Sequence, residues 1–229
     1  NPTKIVLFDH DETALFDIQR KMKFITNTNV VSILGNINDT NFLRKIVKDY
    51  EISDIYHAAA YKHVSILENN PLKAIQNNIF GTISVLKSIS NDVNNITIIS
   101  TDKAANPKNV LGFTKRIAEI VSQNYFLNSN LSKKNLSIVR FGNVFGSQGS
   151  AVQIFTEQLS KGQPVTISDY RAERYFMSIK EACNLVLQGS QIKTKKNSII
   201  VLNMGKPIKI LNVIKKIIEL FNINEKNVP

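Results

Sequence analysis

The residues best suited to chemistry follow a short apolar run. The isoleucine-rich run 96–99 favours a β-strand, and Ser100-Thr101-Asp102-Lys103 places hydroxyl, carboxylate and ammonium groups in succession where that strand should end. An adjacent carboxylate and amine can supply an acid and a base to one elimination, because one can hold a proton while the other lacks it. The same segment would also suit a simple turn with two solvated charges, and both interpretations stay open at this point.

Two elements must position these groups. Adjacent residues on a strand point to opposite faces, so Asp102 and Lys103 can cooperate only if the chain has already left the strand. Pro107 and Asn109 predict the start of a helix, and Lys115 lies one turn after Leu111 on it, facing back toward the strand end. We therefore expect two ammonium groups, a carboxylate and a hydroxyl to converge there.

Apolar runs and amphipathic stretches alternate along the chain. Strands are predicted at 4–8, 30–34, 55–60, 96–100 and 136–141, and helices at 11–23, 42–47, 71–90 and 109–128. After Gly142 the pattern loosens, with helices predicted at 152–161, 179–189 and 208–221 and strands at 165–168 and 199–203. We expect an α/β fold, a doubly wound parallel sheet followed by a smaller, less regular α/β lobe.

The composition narrows the class of protein. With 229 residues, 43% of them hydrophobic, the chain can form one sizeable α/β domain or one domain and part of a second. Its longest apolar runs fall far below the ~20 residues that span a bilayer. The lone Cys183 excludes an internal disulfide and leaves no zinc-like spacing, so we expect no metal site. A reducing, cytoplasmic setting fits this cysteine content.

The charge balance is strongly basic, with 29 Lys and Arg against 18 Asp and Glu and a net charge of +11. Such a balance suits nucleic acid, an anionic membrane surface or an anionic substrate. The basic residues are spread along the chain and no nucleic-acid-binding signature accompanies them. We favour solvated helix faces as the main explanation and expect no nucleic-acid partner.

The dinucleotide-binding fingerprint is missing from the start of the chain. No glycine precedes Gly35, yet Asp9 ends an apolar strand as the ribose-binding acid of such a sheet would. A helix cap is the commoner role for an aspartate in that place. The later run from Gly142 to Gly149 has the wrong spacing for the fingerprint and predicts a tight loop near a ligand.

Other candidates are the histidines and two arginines. His57 follows a strand and is expected to be packed, whereas His63, beside Lys62, lies in a loop where a ligand could be met. Arg140 and Arg174 are candidate anion clamps because guanidinium groups match phosphate, although each would equally suit a surface ion pair.

Five blocks of sequence together resemble the extended short-chain dehydrogenase/reductases. Within them the chain is similar to the nucleotide-sugar 4,6-dehydratases of polysaccharide biosynthesis, the CapD-like proteins that act on UDP-N-acetylglucosamine. The blocks are His57-Ala-Ala-Ala-Tyr-Lys-His-Val64, Asn77-Asn-Ile-Phe-Gly-Thr82, Ser100-Thr-Asp-Lys-Ala104 with Asn109-Val-Leu-Gly-Phe-Thr-Lys115, Val139-Arg-Phe-Gly-Asn-Val144 and Arg174-Tyr-Phe-Met177.

The resemblance implies a Rossmann-like domain over residues 1–145 that binds NAD, and a mainly substrate-binding lobe over 146–229 with some segments returning to the main sheet. The implied cofactor contacts are Asp9, Asn36, Ile37, Ala58, Ala59, Ala60, Asn78 and Lys115. The implied contacts with a UDP-sugar substrate are Lys62, His63, Asn143 and Arg174. Asn36 stands where the family commonly has an aspartate near the adenine.

The resemblance also implies the reaction. NAD would remove hydride from C4 of the sugar, water would be lost across C5 and C6, and the hydride would return to C6. Lys103 would take the C5 proton, Asp102 would protonate the leaving hydroxyl, and Thr101 would hydrogen-bond near the C4 oxygen. Lys115 fills the lysine position of the family's Tyr-x-x-x-Lys pair, where it would bind the nicotinamide ribose.

Two departures from the family pattern follow. Leu111 replaces the tyrosine of that pair, which points to a subgroup of large membrane-anchored dehydratases and leaves Asp102, or water held by Thr101, to deprotonate the C4 hydroxyl. The glycine-rich loop would precede Asn1 and the family's C-terminal region would continue past Pro229, so we expect a fragment that binds NAD poorly by itself.

The resemblance implies a homo-oligomer, located in the cytoplasm or on the cytoplasmic face of the inner membrane. Any membrane contact would come only through a segment upstream of Asn1. The alternatives are a nucleotide-sugar epimerase or reductase of the same superfamily, and a non-catalytic domain that binds nucleotide-sugar or nucleic acid.

Overall fold

The structure is a computed structural model that describes residues 2–129, 131, 134–147, 149–167, 169–192 and 198–221. The chain divides into two compact units, Asn1–Ile138 with Lys193–Ile199, and Val139–Ile192 with Ile200–Pro229. The second compact unit therefore begins at Val139, within the fifth strand, Asn135–Phe141. The reason is that the end of the fifth strand bonds within the second unit, where the N–H of Leu202 donates to the Arg140 carbonyl at 3.0 Å.

Strands and helices alternate in the first unit, which confirms the predicted α/β fold. The strands are β1 (Lys4–Asp9), β2 (Asn29–Leu34), β3 (Asp54–His57), β4 (Asn95–Thr101) and β5 (Asn135–Phe141). The helices are α1 (Glu12–Ile25), α2 (Thr40–Asp49), α3 (Val64–Asn69), α4 (Pro71–Ala74), α5 (Gly81–Lys87) and α6 (Val110–Asn128). A π-helical segment, Ile75–Phe80, joins α4 to α5, and a 3-10 turn, Asp102–Ala104, follows β4.

The parallel strands form two sheets in the described part of the chain, where the sequence predicts one. β1 pairs with β2 in parallel, from Lys4 opposite Asn29 to Asp9 opposite Leu34. The second sheet has the order β3-β4-β5 followed by the strand Ile199–Val201, and His57 of β3 lies opposite Ile98 of β4. β1 and β3 are thus each an edge strand. The carboxyl ends of β1 and β4 carry Asp9 and Thr101, as expected for a site at the ends of parallel strands.

The core of the first unit lies around β4. It is an apolar cluster that joins this strand to residues of α2, α5, α6 and β5, and its buried members are Val47, Leu86, Val93, Ile96, Ile98, Phe126 and Ile138. β4 has a neighbour on each side, so its side chains lose contact with water on both faces. Burial of this kind stabilises a fold by about 25 cal/mol per Å² of apolar surface.

Two predicted elements of the first unit differ in the structure. The third strand ends at His57 instead of Ala60, because the peptide group of Tyr61 hydrogen-bonds the side chain of Asn78 instead of β4. The long helix predicted over 71–90 ends at Lys87 and is interrupted by the π-helical segment that contains Asn78. Such π-bulges are rare and are frequently found at functional sites.

The second unit contains short strands and three longer helices among its described residues. The elements that follow β5 along the chain are β6 (Asn143–Phe145), α7 (Ala151–Ser160), β7 (Glu173–Arg174), β8 (Phe176–Ser178), α8 (Ile179–Gln191), β9 (Ile199–Val201), β10 (Ile208–Lys209) and α9 (Ile210–Leu220). β6 pairs with β8 in parallel, and β10 pairs with β7 antiparallel.

The strand predicted at 165–168 is wrong for residues 165–167, while Ser168 lies outside the described residues. Val165 and Ile167 instead pack singly against an apolar cluster formed by α7 and α9. The alternating apolar residues that predicted a strand are explained by this packing, because each side chain is partly buried against the cluster without pairing to a strand.

Candidate active site

The acid–base candidates meet at the end of β4. Thr101 is the last extended residue, and Asp102 and Lys103 lie in the 3-10 turn that follows, so the chain has left the strand as the prediction required. Lys103 Nζ lies 3.1 Å from Asp102 Oδ1, and the Thr101 hydroxyl donates to the same carboxylate oxygen at 2.9 Å. The side chains of Lys103 and Asp102 are 29% and 21% exposed, so the pair is partly shielded from water but still open to the surface.

The start of α6 holds this turn in place. Asn109 caps the helix, its side-chain oxygen accepting from the N–H of Gly112 at 2.8 Å. Gly112 lies so close to the turn that a Cβ atom added to it would be 2.7 Å from the carbonyl oxygen of Lys103. Only a residue without a side chain allows α6 to approach the Asp102–Lys103 pair at this distance.

Lys115 is buried on the inner face of α6. Burial lowers the pKa of its ammonium group to about 8, although the carboxylate of Glu119, one helical turn later, acts in the opposite direction. The side chain is therefore a cation below pH 8 that has little contact with water. This is a suitable state for a lysine that donates hydrogen bonds to a ligand.

Glu119 is a buried carboxylate that the sequence argument missed. Its Oε1 accepts from the Ser100 hydroxyl at 2.6 Å, and its Oε2 accepts from Arg116 Nη1 at 3.0 Å. Glu119 thus connects α6 to the residue immediately before Thr101. The one sequence signal was its spacing of four residues from Lys115, which places both side chains on the same face of a helix.

His57 is packed, as predicted, and takes part in a buried hydrogen-bond chain. Its Nε2 lies 2.9 Å from Thr82 Oγ1, and the Thr82 hydroxyl donates to the Asn78 carbonyl at 2.7 Å. Because Thr82 uses its proton there, His57 Nε2 must be the donor. Burial and the nearby Lys115 lower the pKa of His57 to about 3, so the ring is neutral near pH 7.

Asn78, which is predicted to contact the cofactor, has a side chain whose hydrogen-bonding groups are all used by protein groups. Its Oδ1 accepts from the N–H of Tyr61 at 2.8 Å and from Asn77 Nδ2 at 3.3 Å. Its Nδ2 donates to the Tyr61 carbonyl and to Thr114 Oγ1, both at 3.1 Å. The structure therefore gives Asn78 a positioning role: it ties the loop that contains Ala58, Ala59 and Ala60 to the segment of α6 next to Lys115.

Asp9 is the last residue of β1, and it is exposed at the carboxyl end of that strand. Its Oδ1 accepts from the N–H of Asp11 at 3.0 Å and lies 3.2 Å from His10 Nδ1, while its other oxygen has no hydrogen bond to the described residues. The helix-cap interpretation of Asp9 is wrong, because the cap of α1 is Asp11, which accepts from the N–H of Ala14 at 2.9 Å.

The loop after β2 also has unused hydrogen-bonding capacity. Asn36 Oδ1 accepts from the N–H of Asn38 at 2.9 Å and from its Nδ2 at 3.2 Å. Asn38 Oδ1 is buried without a partner in the described structure, and Ile37 packs against Gly81 of α5. A buried acceptor with no partner is costly unless a donor fills the place, so these residues fit a nucleotide base with an exocyclic amine.

The remaining predicted residues are more exposed. Ala58, Ala59, Lys62 and His63 are exposed, and Ala60 is half-buried, in the loop between β3 and α3. Within the second unit, the N–H of Asn143 donates to the Tyr175 carbonyl at 2.9 Å. Arg174 is exposed there, and its guanidinium donates to the Glu173 carbonyl at 2.7 Å.

Leu111, the residue at the family's tyrosine position, is directed into an apolar cluster with Leu67 and Ala74. It therefore has a packing role in this chain. In the described part of the chain, no three acidic, histidine or cysteine side chains are grouped as metal ligands, and no helix has the length and apolar character needed to cross a membrane.

Comparison with known proteins agrees with the sequence resemblance. The profile of a family described as polysaccharide biosynthesis protein matches residues 1–228. Capsular polysaccharide biosynthesis protein CapD of Staphylococcus aureus is 39% identical over 231 residues, which is 100% of this chain and 38% of CapD. This chain thus spans well under half the length of that relative.

Two further relatives have different named activities. UDP-N-acetylglucosamine 4,6-dehydratase (inverting) of Campylobacter jejuni strain 81-176 is 34% identical, covering 81% of this chain and 55% of the relative. UDP-glucose 4-epimerase of Rickettsia canadensis is 30% identical, covering 80% and 53%. Among solved structures, Pen from Bacillus thuringiensis has a TM-score of 0.91 at 29% identity, covering 100% of this chain and 71% of Pen.

Proposed function

This chain belongs to the polysaccharide biosynthesis protein family, and on that basis we propose that it carries the active site of an NAD-dependent nucleotide-sugar 4,6-dehydratase. The observation that supports this most is the group at the end of β4, where Thr101 Oγ1 and Lys103 Nζ both lie within 3.1 Å of one oxygen of Asp102. The proposed substrate is UDP-N-acetylglucosamine, and the product is its 4-keto-6-deoxy derivative.

The elimination needs a base at C5 and an acid at C6. Lys103, as a neutral amine, takes the C5 proton, and protonated Asp102 delivers its proton to the C6 hydroxyl as the C6–O bond breaks, so that water leaves. The 3.1 Å contact between Lys103 Nζ and Asp102 Oδ1 places this acid and this base side by side, as an elimination across C5 and C6 requires. General acid–base catalysis of this kind typically contributes about 10²–10⁴-fold to the rate.

Thr101 supplies the proton that Asp102 uses. Its hydroxyl already donates to Asp102, so it can accept the C4 hydroxyl proton of the sugar while passing its own to the carboxylate. The same proton then leaves with the C6 hydroxyl as water, and Lys103 afterwards gives C5 one of the exchangeable protons of its ammonium group. Asp102 and Lys103 end the cycle as they began it, which removes the need for a tyrosine at position 111.

NAD, when bound, would supply the acceptor for the C4 hydride and the donor for the reduction at C6. In this chain Lys115 would hold the nicotinamide ribose, Asp9 would accept from ribose hydroxyls at the end of β1, and Asn36 and Asn38 would meet the base. These residues fit the cofactor through the free oxygen of Asp9 and the buried, unpartnered oxygen of Asn38.

The main alternative is a 4-epimerase, since a relative with that name matches most of this chain. An epimerase returns hydride to C4 and leaves the C6 hydroxyl in place, so it needs no acid at C6. The contact between Asp102 and Lys103 favours the dehydratase, because a single hydroxyl base would be enough for epimerisation.

The test is to incubate the full-length protein with UDP-N-acetylglucosamine in D₂O and follow the sugar by NMR. A 4-keto-6-deoxy product with deuterium at C5 is expected, and a C4 epimer that keeps its C6 hydroxyl would refute the dehydratase. Lys103→Ala should lower turnover by about 10²–10⁴-fold. Lys108→Ala, which removes an exposed lysine of the neighbouring loop, is the matched control and should leave turnover unchanged. Unchanged turnover in Lys103→Ala would overturn the assigned base.

A further inference from the structure

Glu119 is a buried carboxylate that the proposed chemistry does not use. Its side chain is 1% exposed, and both of its oxygens are hydrogen-bonded, one by Ser100 of β4 and the other by Arg116 of α6. A carboxylate in such a place costs folding energy unless its charge is well compensated. The hydrogen bonds from Ser100 and Arg116 contribute to that compensation, but they do not explain why a charged group lies there.

The charged groups around Lys115 indicate what the Glu119 carboxylate does. On its own helix Lys115 has Glu119 and Arg116 nearby, and His57 lies toward it from β3. α6 also packs against the turn that carries Asp102 and Lys103, and against β4 and the π-helical segment 75–80, neither of which contains a charged side chain. It packs as well against α3, α4 and α5, whose charged residues, Glu68, Lys73 and Lys87, are exposed. Since His57 is neutral near pH 7, Glu119 is the buried negative charge closest along the helix to a buried lysine.

We propose that Glu119 is a positioning residue: its buried carboxylate keeps Lys115 charged for cofactor binding and fixes the helix of Lys115 to the strand that ends in the catalytic turn. The first role acts through charge and the second through the hydrogen bond with Ser100, whose neighbour Thr101 begins the catalytic group. This inference rests on the proposed function only in naming NAD as the ligand of Lys115.

Removing the charge of Glu119 is expected to lower the pKa of Lys115. Burial lowers the pKa of Lys115 to about 8, and the carboxylate of Glu119 opposes that effect. If the carboxylate is replaced by an amide, the opposing effect is lost and the pKa of Lys115 falls further. Lys115 then becomes neutral at pH values where it is charged in the parent protein, and a neutral amine is a weaker donor to a ligand.

Three variants separate the two roles. Glu119→Gln keeps the shape and the acceptor for Ser100 but removes the charge. Glu119→Asp keeps the charge on a side chain that is one methylene group shorter. Glu157→Gln is the matched control, because Glu157 pairs with Lys161 at 2.6 Å four residues later on the exposed surface of α7 in the second unit.

The first measurement needs no enzyme activity. In the chain labelled with ¹³C at lysine Cε, the Lys115 signal is assigned by its loss in Lys115→Arg and titrated by NMR. We expect a midpoint near pH 8 in the parent protein. The midpoint should move to lower pH by about one pH unit in Glu119→Gln, a tenfold change in the protonation equilibrium. It should stay near the parent value in Glu119→Asp and in Glu157→Gln.

The second measurement is NAD binding by the full-length protein at several pH values. At pH 8, Glu119→Gln should bind NAD about tenfold more weakly than the parent protein, in line with the change in Lys115 protonation. At pH 6, where Lys115 is charged in both proteins, the two affinities should converge. A purely structural role would instead weaken binding by the same factor at every pH.

The outcomes are separable from those that test the dehydratase. A Lys115 midpoint that is the same in Glu119→Gln and the parent protein would overturn the inference, even if the dehydratase product is found. If Glu119→Gln does not fold, a shifted midpoint in the charge-preserving Glu119→Asp variant would overturn it as well. A shifted midpoint in Glu119→Gln supports the inference even if the sugar product proves to be an epimer.

Discussion

Two regions of the first unit are built from the same kind of sequence but are packed differently. The first region, residues 4–34, comprises β1, α1 and β2, and the second region, residues 54–128, extends from β3 to α6. Each contains an apolar strand followed by an amphipathic helix. Yet the central residues of β1 are only half-buried, whereas Ile96 and Ile98 of β4 are fully buried. α1 in addition leaves Phe16 and Phe24 exposed.

The difference follows from the number of neighbours. In the described part of the chain β1 pairs with β2 alone, while β4 lies between β3 and β5 and is covered by the cluster that includes Phe126 of α6. The hydrophobic pattern of a strand therefore predicts that its side chains favour burial. How deeply they are buried depends on the strands and helices that pack beside it.

The burial of polar side chains differs between the two regions in the same way. In the second region His57, Lys115 and Glu119 are buried and linked to other groups, whereas in the first region Asp9 and His10 lie at the surface. A buried polar group needs fixed partners, and fixed partners require dense packing. We infer that the second region holds its buried polar groups rigidly, and that Asp9 of the first region lies in a less constrained framework.

The largest effect is expected when the contributions of His57 and His10 to stability at low pH are compared. The pKa of His57 is lowered to about 3, so the unfolded chain, whose histidine titrates near pH 6.5, takes up a proton that the folded chain refuses. Stability is therefore complete above pH 6.5 and is lost as the pH falls toward 3, by on the order of 4 kcal/mol.

Urea unfolding at several pH values measures this slope. His57→Gln should flatten it, because an amide can donate to Thr82 without titrating. His10→Gln, at a side chain that is 67% exposed, is the matched control and should leave the slope as it is. Equal slopes in His57→Gln and the parent protein would show that another group governs the acid response.

An isoleucine in each region gives the next comparison. Ile98→Ala should destabilise the chain by about 3 kcal/mol, because a fully buried side chain leaves a cavity behind. Ile5→Ala, at the half-buried β1, should cost about 1 kcal/mol, since much of that side chain already meets water. Chemical denaturation measures both, and costs of equal size would contradict the claim that β1 is less tightly packed than β4.

The residues at the β4 site show how far the sequence could lead. The sequence predicts an acid–base pair at Asp102 and Lys103 because a carboxylate and an amine are informative at a strand end. It predicts a helix start at Asn109 because helix caps follow a local rule. Glu119 was missed because an isolated glutamate in a helix usually faces water, and only tertiary packing places this one against Ser100. Similarly, no local pattern showed that Asn78 would bind the peptide group of Tyr61, seventeen residues earlier.

The smallest expected effect compares the caps of two helices. Asp11 caps α1, accepting from Ala14 at 2.9 Å, and Asn109 caps α6, accepting from Gly112 at 2.8 Å. Removing either side chain costs its helix about 1 kcal/mol. The cost appears in global stability only if that helix opens together with the rest of the chain, and α1 belongs to the region with fewer packed neighbours.

Asn109→Ala should therefore lower the thermal midpoint of the whole chain, while Asp11→Ala should mainly speed amide hydrogen exchange over residues 12–25 and leave the midpoint nearly unchanged. Hydrogen exchange followed by mass spectrometry, with a thermal melt of each variant, distinguishes the two patterns. If Asp11→Ala lowers the midpoint as much as Asn109→Ala does, the two regions open together, and the half-buried strands of the first region are as much a part of the cooperative core as β4.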